Sequence, residues 1–315
     1  MSRYLGRRLL GAVPVLWGVV TLVFLIIRLV PGDALQLFLG TQVEMTPEQM
    51  AELRRVFGLD RPLWAQYLDY LGRVVQGDLG VSLRTARSVR GEIASRLPVT
   101  VQLAVLAVGI AAAVAVPAGV AAAVSRRAWV QACLRVAALA GLSIPSFWLA
   151  TMLVLGASRV GVRVLGTYVP VWQDPWRSLE TLLLPAVALG TGLAAALMRY
   201  VRASVLEVLG QDYVRTAWAK GLPARAVFRR HVLRNALIPV VTVAGFQLGY
   251  LLGGAVVVEE VFGLPGMGRL ALGAILQRDY AMLQGVVLVT ATLFVLTNLL
   301  TDLAYGWIDP RIRYD

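Results

Sequence analysis

Six long stretches of the chain carry no charged residue: Leu9–Ile27, Leu97–Ser125, Val136–Ser158, Thr181–Met198, Asn235–Val258 and Tyr280–Thr301. An α-helix rises about 1.5 Å per residue, so roughly 20 apolar residues cross a hydrocarbon core about 30 Å thick, which is the scale of each stretch. That layer holds no water, so each span closes its own backbone hydrogen bonds as a helix. The pattern predicts an all-α integral membrane protein of six transmembrane helices. It divides the chain into an N-terminus and first span (1–30), a segment outside the membrane (31–96), a membrane core (97–305) with a basic loop at 203–234, and a tail (306–315).

Between the spans the pattern changes period. Val30-Pro31-Gly32-Asp33 breaks the first helix, and Pro98 is expected to open the second span. Thr46-Pro47-Glu48-Gln49 reads as a helix start, with Thr46 as N-cap and Pro47 in the first position, followed by an apolar stripe of Met50, Leu53, Val56 and Phe57. A second amphipathic stretch, Leu63 to Val75, places Trp64, Tyr67, Leu68 and Leu71 on one stripe suited to a membrane interface. These helices are expected to lie on the outer leaflet or to cap the bundle, as a structural lid or as a docking surface. Pro145, in the third span, predicts a kink, which serves either a pathway or ordinary bundle packing. Ala111-Ala112-Ala113 and Ala194-Ala195-Ala196 permit close helix approach.

Composition reinforces the membrane reading. Hydrophobic residues make up 58% and charged residues 15%, with a mean hydropathy of +0.71, far from the roughly one-quarter charge of soluble domains. The net charge of +12 does not require nucleic acid, because it sorts as membrane loops do. Arg3, Arg7 and Arg8 precede the first span and place the N-terminus inside; six spans return the C-terminus there. Arg126, Arg127 and Arg135 mark the second-to-third connection. Arg215, Lys220, Arg225, Arg229, Arg230 and Arg234 mark the fourth-to-fifth, against Glu207 and Asp212. The outer connections mix signs. The first run is too long for a signal-peptide core and shows no small-x-small site before Pro31, so it reads as an uncleaved helix; Arg7-Arg8 is not a twin-arginine address.

Candidate chemistry is sparse. Cys133 and His231 are single, so no internal disulfide and no multi-histidine metal site is expected. There is no phosphate-binding loop, no H-E-x-x-H and no G-x-S-x-G; the glycine-rich segment from Gly263 to Gly268 lacks the lysine and reads as a tight turn. Polar residues within the spans are Gln102, Gln247, Tyr250, Asn298 and Asp302, and Asp302 is the one candidate relay acid, open to a structural or a transport role. The most informative segment is the inner loop from Asp212 to Val241. Asp212 begins a short helix through Trp218, Gly221 permits a left-handed turn, Pro223 starts the next helix, and Asn235 to Pro239 enters the membrane. Physics alone leaves three roles open: docking a cytoplasmic partner, binding anionic lipid headgroups, or simple retention.

This loop resembles the EAA loop of permease subunits in binding-protein-dependent ABC importers of the dipeptide, oligopeptide and nickel group, with Gly221 at the marker glycine and Leu237-Ile238-Pro239 at its exit. Similar segments follow in order along the chain: RYLGRRLL and RLVPGD, FGLDRPL at 57–63, GDLGVS at 77–82, RLPVT at 96–100, SIPSFWLA at 143–150, VFGLPGMG at 261–268, RDY at 278–280 and the ending NLLTDLAYGWIDPRIRY. Trp218 stands where the family usually has a basic residue, Glu260 where threonine is common, and Ala281 where proline often follows Arg-Asp-Tyr.

The resemblance implies a type I importer permease of MetI-like fold in a bacterial or archaeal cytoplasmic (inner) membrane, with both termini cytoplasmic. It implies short peptides as substrate, with nickel, a nickel chelate or glutathione as alternatives; an ion-coupled secondary carrier is the alternative of another class. The chain would be no enzyme and would hold no cofactor, because ATP and Mg belong to two separate ATPase subunits. The helix around Arg215 to Gly221 would sit in a groove of one of them. Asp212, Arg215 and Lys220 would supply polar contacts, Ala217 would belong to the same loop, Gly221 its sharp turn and Pro239 its exit. A second related permease would complete the pore and an extracytoplasmic binding protein would deliver substrate. Pro145, Gln247, Asn298 and Asp302 remain candidates for pathway or packing.

Overall fold

The computed structural model describes residues 2–29, 46–56, 60–82, 84–161 and 166–308. The proposed helix break at 30–33 and the last residues of the tail lie outside them. Among the described residues the fold is helical, with one isolated β-bridge between Val81 and Ser88. The helices are α1 (Ser2–Leu29), α2 (Pro47–Val56), α3 (Leu63–Val75), α4 (Val89–Val124), α5 (Ala128–Ser143), α6 (Ser146–Arg159), α7 (Pro175–Leu209), α8 (Asp212–Ala219), α9 (Ala224–Leu252), α10 (Val256–Val261), α11 (Met267–Leu276) and α12 (Tyr280–Ile308). Four are long and apolar enough to cross a membrane: α4, α7, α9 and the Tyr280–Ala304 part of α12. The α5–α6 pair, bent by 96°, makes a fifth if counted as one span, and the apolar part of α1, Leu10–Leu25, is shorter.

The centre of the bundle is the α4–α7 pair, the most extensive helix contact in the molecule. Small residues allow it: Ala107, Ala111 and Ala115 of α4 are fully buried, and a Cβ added to Gly119 would lie 2.6 Å from the Cβ of Val201. A Cβ added to Gly190 of α7 would lie 3.0 Å from the carbonyl oxygen of Ala107. Here backbones, rather than long side chains, make the contact. α9 and α12 also meet at glycines, here against side chains: Gly249 faces the Phe294 ring and Gly245 faces Thr301. Large apolar side chains elsewhere, such as Trp17, Leu22, Val105 and Val114, stand exposed, as lipid-facing positions do.

Two expectations about proline change. The second span opens at Val89 rather than at Pro98, because Ser88 caps it through Gly91 N and Glu92 places negative charge in its first turn; Pro98 lies inside the helix. At Pro145 the third span breaks instead of kinking. Ile144 is extended (ψ 117°), as the residue before proline tends to be, and Pro145 itself becomes the N-cap of α6. In the segment before α4, Thr46 caps α2 as predicted, and Gln49 completes a capping box: Gln49 N donates to Thr46 Oγ1 at 3.3 Å and Thr46 N to Gln49 Oε1 at 3.0 Å. α3 packs on α1 through Phe24, which meets Tyr67 edge-on and stacks with Tyr70, while Trp64 and Leu68 face outward.

α10 and α11 form a lid across the end where α4 begins. Glu259 is fully buried beneath it. Its carboxylate accepts from Thr100 Oγ1 at 2.9 Å and from Arg269 N at 2.8 Å, and Thr100 Oγ1 accepts from Met267 N at 2.8 Å. The first turn of α11, whose N–H groups have no helical partners, is thus capped by side chains from α10 and α4. Burial pushes the Glu259 carboxyl above its usual range, opposed by these hydrogen bonds and by the charge of Arg96. The glycine-rich segment supplies more than a turn: Gly266 leaves room for this carboxylate, and Gly268 lets the backbone rest on Val256.

Candidate functional site

The loop between α7 and α9 folds as a short helix on a buried footing. Asp212 at the first position of α8 sits where a carboxylate favours the helix dipole. The helix ends in a two-bond cap: Gly221 N donates to Trp218 O at 2.9 Å and Leu222 N to Ala217 O at 3.4 Å, with Gly221 left-handed at φ 73°. Nothing lies within 4 Å of where a Gly221 side chain would begin, so the backbone conformation alone calls for glycine. Pro223 then caps the start of α9, whose first turns widen into a π-helical segment, Val227–Leu233.

One face of α8 is fixed and the other is open. Val214 and Ala217 are buried against Val201 and Val205 of α7 and Val227 and Val232 of α9. Asn235 Nδ2 reaches Tyr213 Oη at 3.1 Å and His231 O at 2.8 Å, tying the helix to the widened turn. Arg215, Trp218, Lys220 and Leu222 stand exposed. Asp212 and Arg215 pair at 2.7 Å, but their side chains are 91% and 74% exposed, so the pair contributes little to stability. A rigid apolar base thereby presents a basic, partly aromatic ridge beyond the ends of two long helices.

The remaining sequence candidates do not gather into one site. Ala217 faces the core rather than the open surface, and Pro239 lies exposed inside α9. Pro145 is at the α5–α6 break. Asn298 and Gln247 are half-buried on the facing helices α12 and α9, but Gln247 follows Gly245 by two residues, about 200° around the helix from the glycine seam. Asp302 pairs with Arg8 at 3.0 Å, joining α12 to α1 at the bundle end that also carries α8. Sequence reasoning missed the Glu259–Thr100 pair. Its signal was an acid directly after an apolar run, Val256-Val257-Val258.

Four helices of membrane-crossing length with an exposed short helix set on their ends define a multi-pass membrane protein. The chain belongs to the binding-protein-dependent transport system inner membrane component family, whose profile matches residues 115–314, with the family's N-terminal profile matching residues 1–104. It is an ABC importer permease. Among curated relatives, the dipeptide transport system permease protein DppB of Alkalihalophilus pseudofirmus is 42% identical over 335 residues, covering all of both chains. Its Escherichia coli namesake is 39% identical over 340 residues, covering all of this chain and 99% of that one. The glutathione transport system permease protein GsiC of Escherichia coli is 41% identical over 315 residues, covering all of both. A crystal structure of an amino acid ABC transporter with histidines superposes with a TM-score of 0.48 at 16% identity, over 70% of this chain and 94% of that one.

Proposed function

We propose that this permease imports short peptides across the cytoplasmic membrane by alternating access, driven by ATP hydrolysis on separate subunits. The observation that carries the coupling role is α8: apolar on the side fixed to α7 and α9, exposed and basic on the other, and closed by a left-handed Gly221. A helix so mounted passes a push on its outer face directly to two membrane helices. Two cytoplasmic ATPase subunits, holding ATP and Mg, would supply that push; a second related permease would complete the pathway and an extracytoplasmic binding protein would deliver substrate. The loop and both termini then face the cytoplasm, an orientation that their excess of arginine supports.

Dipeptide and glutathione permeases both stand among the relatives, and both names denote short peptides. Glutathione is favoured as a second reading by one observation. The glutathione permease aligns over 315 residues, the length of this chain, whereas the dipeptide permeases need 335 and 340.

The test is purification of the tagged chain from its native membrane in mild detergent, followed by reconstitution. A second permease and phosphate-loop ATPases are expected to copurify, and uptake of labelled dipeptide or glutathione should require ATP and the binding protein. A chain that purifies alone and moves solute without ATP would overturn the reading in favour of an ion-coupled carrier.

A further inference from the structure

Near the end of α4, this helix with α5 and α7 lines a half-open cavity of about 590 Å³. Its lining has two chemistries. Arg135 of α5 and Arg199 and Arg202 of α7 supply three guanidinium groups, with no carboxylate among the lining residues; Leu134, Leu139 and Met198 supply apolar surface. Arg135 donates Nε to Gln131 O at 3.2 Å and Arg202 donates Nε to Ala122 O at 3.4 Å. Both bonds use Nε alone, which leaves the paired terminal nitrogens of each fork for an anion.

The depth of the cavity narrows the choice of anion. The charge-free run of α7 ends at Met198, so Arg199 lies where that helix leaves the hydrocarbon and Arg202 one turn beyond. Trp129, 64% exposed at the start of α5, is the residue type that concentrates at membrane interfaces. Leu139, 61% exposed on α5, continues the lining as open apolar surface. A soluble anion would leave this apolar wall uncovered, whereas a phospholipid covers both parts.

We infer that this cavity binds an anionic phospholipid, its headgroup phosphate held by Arg135, Arg199 and Arg202 and the start of its acyl chains laid along Leu134 and Leu139. Basic pockets between spans at headgroup depth take acidic lipids by this pairing of charge and apolar contact. The site is separate from the α8 surface, and the leaflet it faces follows the orientation proposed above.

The experiment is native mass spectrometry of the intact complex incubated with phosphatidylglycerol or phosphatidylcholine. Phosphatidylglycerol adducts should survive activation that strips phosphatidylcholine, and R135Q, R199Q and R202Q should each weaken phosphatidylglycerol retention about fivefold. Equal retention of the two lipids, or phosphatidylglycerol retention untouched by all three substitutions, would overturn the inference. Should an arginine variant fail to assemble, L139W narrows the cavity with every charge in place and should weaken the same adduct; unchanged retention there counts against the site. Ala203→Cys in a Cys133→Ser background tests the rival occupant. Efficient cross-linking from it to a second membrane subunit would make the cavity a subunit interface and sink the lipid assignment.

Discussion

Ser82 donates its hydroxyl hydrogen to the carboxylate of Asp279, 197 residues further along the chain. Both are buried. The other oxygen of Asp279 accepts from Met282 N at 3.1 Å and caps α12, while Ser82 Oγ accepts from Thr85 N at 3.1 Å. One carboxylate therefore starts the last long helix and anchors the segment that leads into α4. Arg84 adds a second tie, from its Nε to Gln277 O at 3.0 Å.

Removing either partner should loosen this end of the bundle unequally. Ser82→Ala deletes one hydrogen bond to a charged group and should cost about 1.5–3 kcal/mol. Asp279→Ala deletes the cap of α12 as well, so its loss should be larger by about 1 kcal/mol. Thermal unfolding of the two variants in detergent orders them, and a Ser82→Ala loss exceeding that of Asp279→Ala would contradict the shared role of the carboxylate.

The Glu259 network predicts a sharper effect. Glu259→Ala strands the Thr100 hydroxyl and Arg269 N in a buried site, at roughly 1–3 kcal/mol for each unsatisfied group. Glu259→Gln keeps the shape and an acceptor and should lose less. Thr100→Val should reproduce part of the defect, because the same hydroxyl serves Met267 N. Hydrogen exchange at the start of α11 reads this directly: faster exchange in Glu259→Ala and Thr100→Val is expected, and unchanged protection would show that the helix is held by packing alone.

How far this was legible in the sequence depends on range. Thr46 and Gln49 lie three residues apart, and their capping box could be read from spacing; Gly221 likewise announced a left-handed residue between two helices. Pro145 announced a disturbance, but the size of it, a 96° break, depends on how α6 packs beneath the lid. Ser82 with Asp279, and Thr100 with Glu259, meet only after the whole bundle has assembled, so no local pattern reveals the pairings, although an acid directly after the apolar run Val256-Val257-Val258 marks Glu259 itself. Arg135 was read as loop charge, yet it meets Arg199 and Arg202 because α5 crosses α7 at that height.

Glycine contacts set the spacing of the central pair. A Cβ at Gly119 would stand 2.6 Å from the Val201 Cβ and 2.8 Å from Met198 O, where neither backbone nor a buried β-branched residue can yield cheaply. Gly119→Val should therefore cost about 1–3 kcal/mol or more through overpacking and lower the yield of folded protein. Gly109, with nothing within 4 Å, is the control on the same helix, and its alanine variant should be near normal. Equal expression and melting for the two would refute close packing as the reason for Gly119.

Orientation can be tested on the loop that carries α8. Thr216 is exposed on α8. In a Cys133→Ser background, Thr216→Cys should escape an impermeant maleimide in intact cells and react after permeabilisation. Labelling in intact cells would invert the topology.

Gly221 separates backbone strain from steric contact. Its φ of 73° belongs to the left-handed region, and open space surrounds its Cα, so a substitution there meets no neighbour within the chain. A β-branched residue resists this conformation by about 1–2 kcal/mol, while asparagine tolerates it. Gly221→Val should insert normally yet lose the two-bond cap that aims the exposed face of α8, and ATP-driven uptake should fall severalfold or more. Gly221→Asn should retain most activity if the requirement is conformational. Should asparagine prove as damaging as valine, the glycine would instead be needed for the closeness of a partner's surface, because within this chain the two variants differ only in what they ask of the backbone.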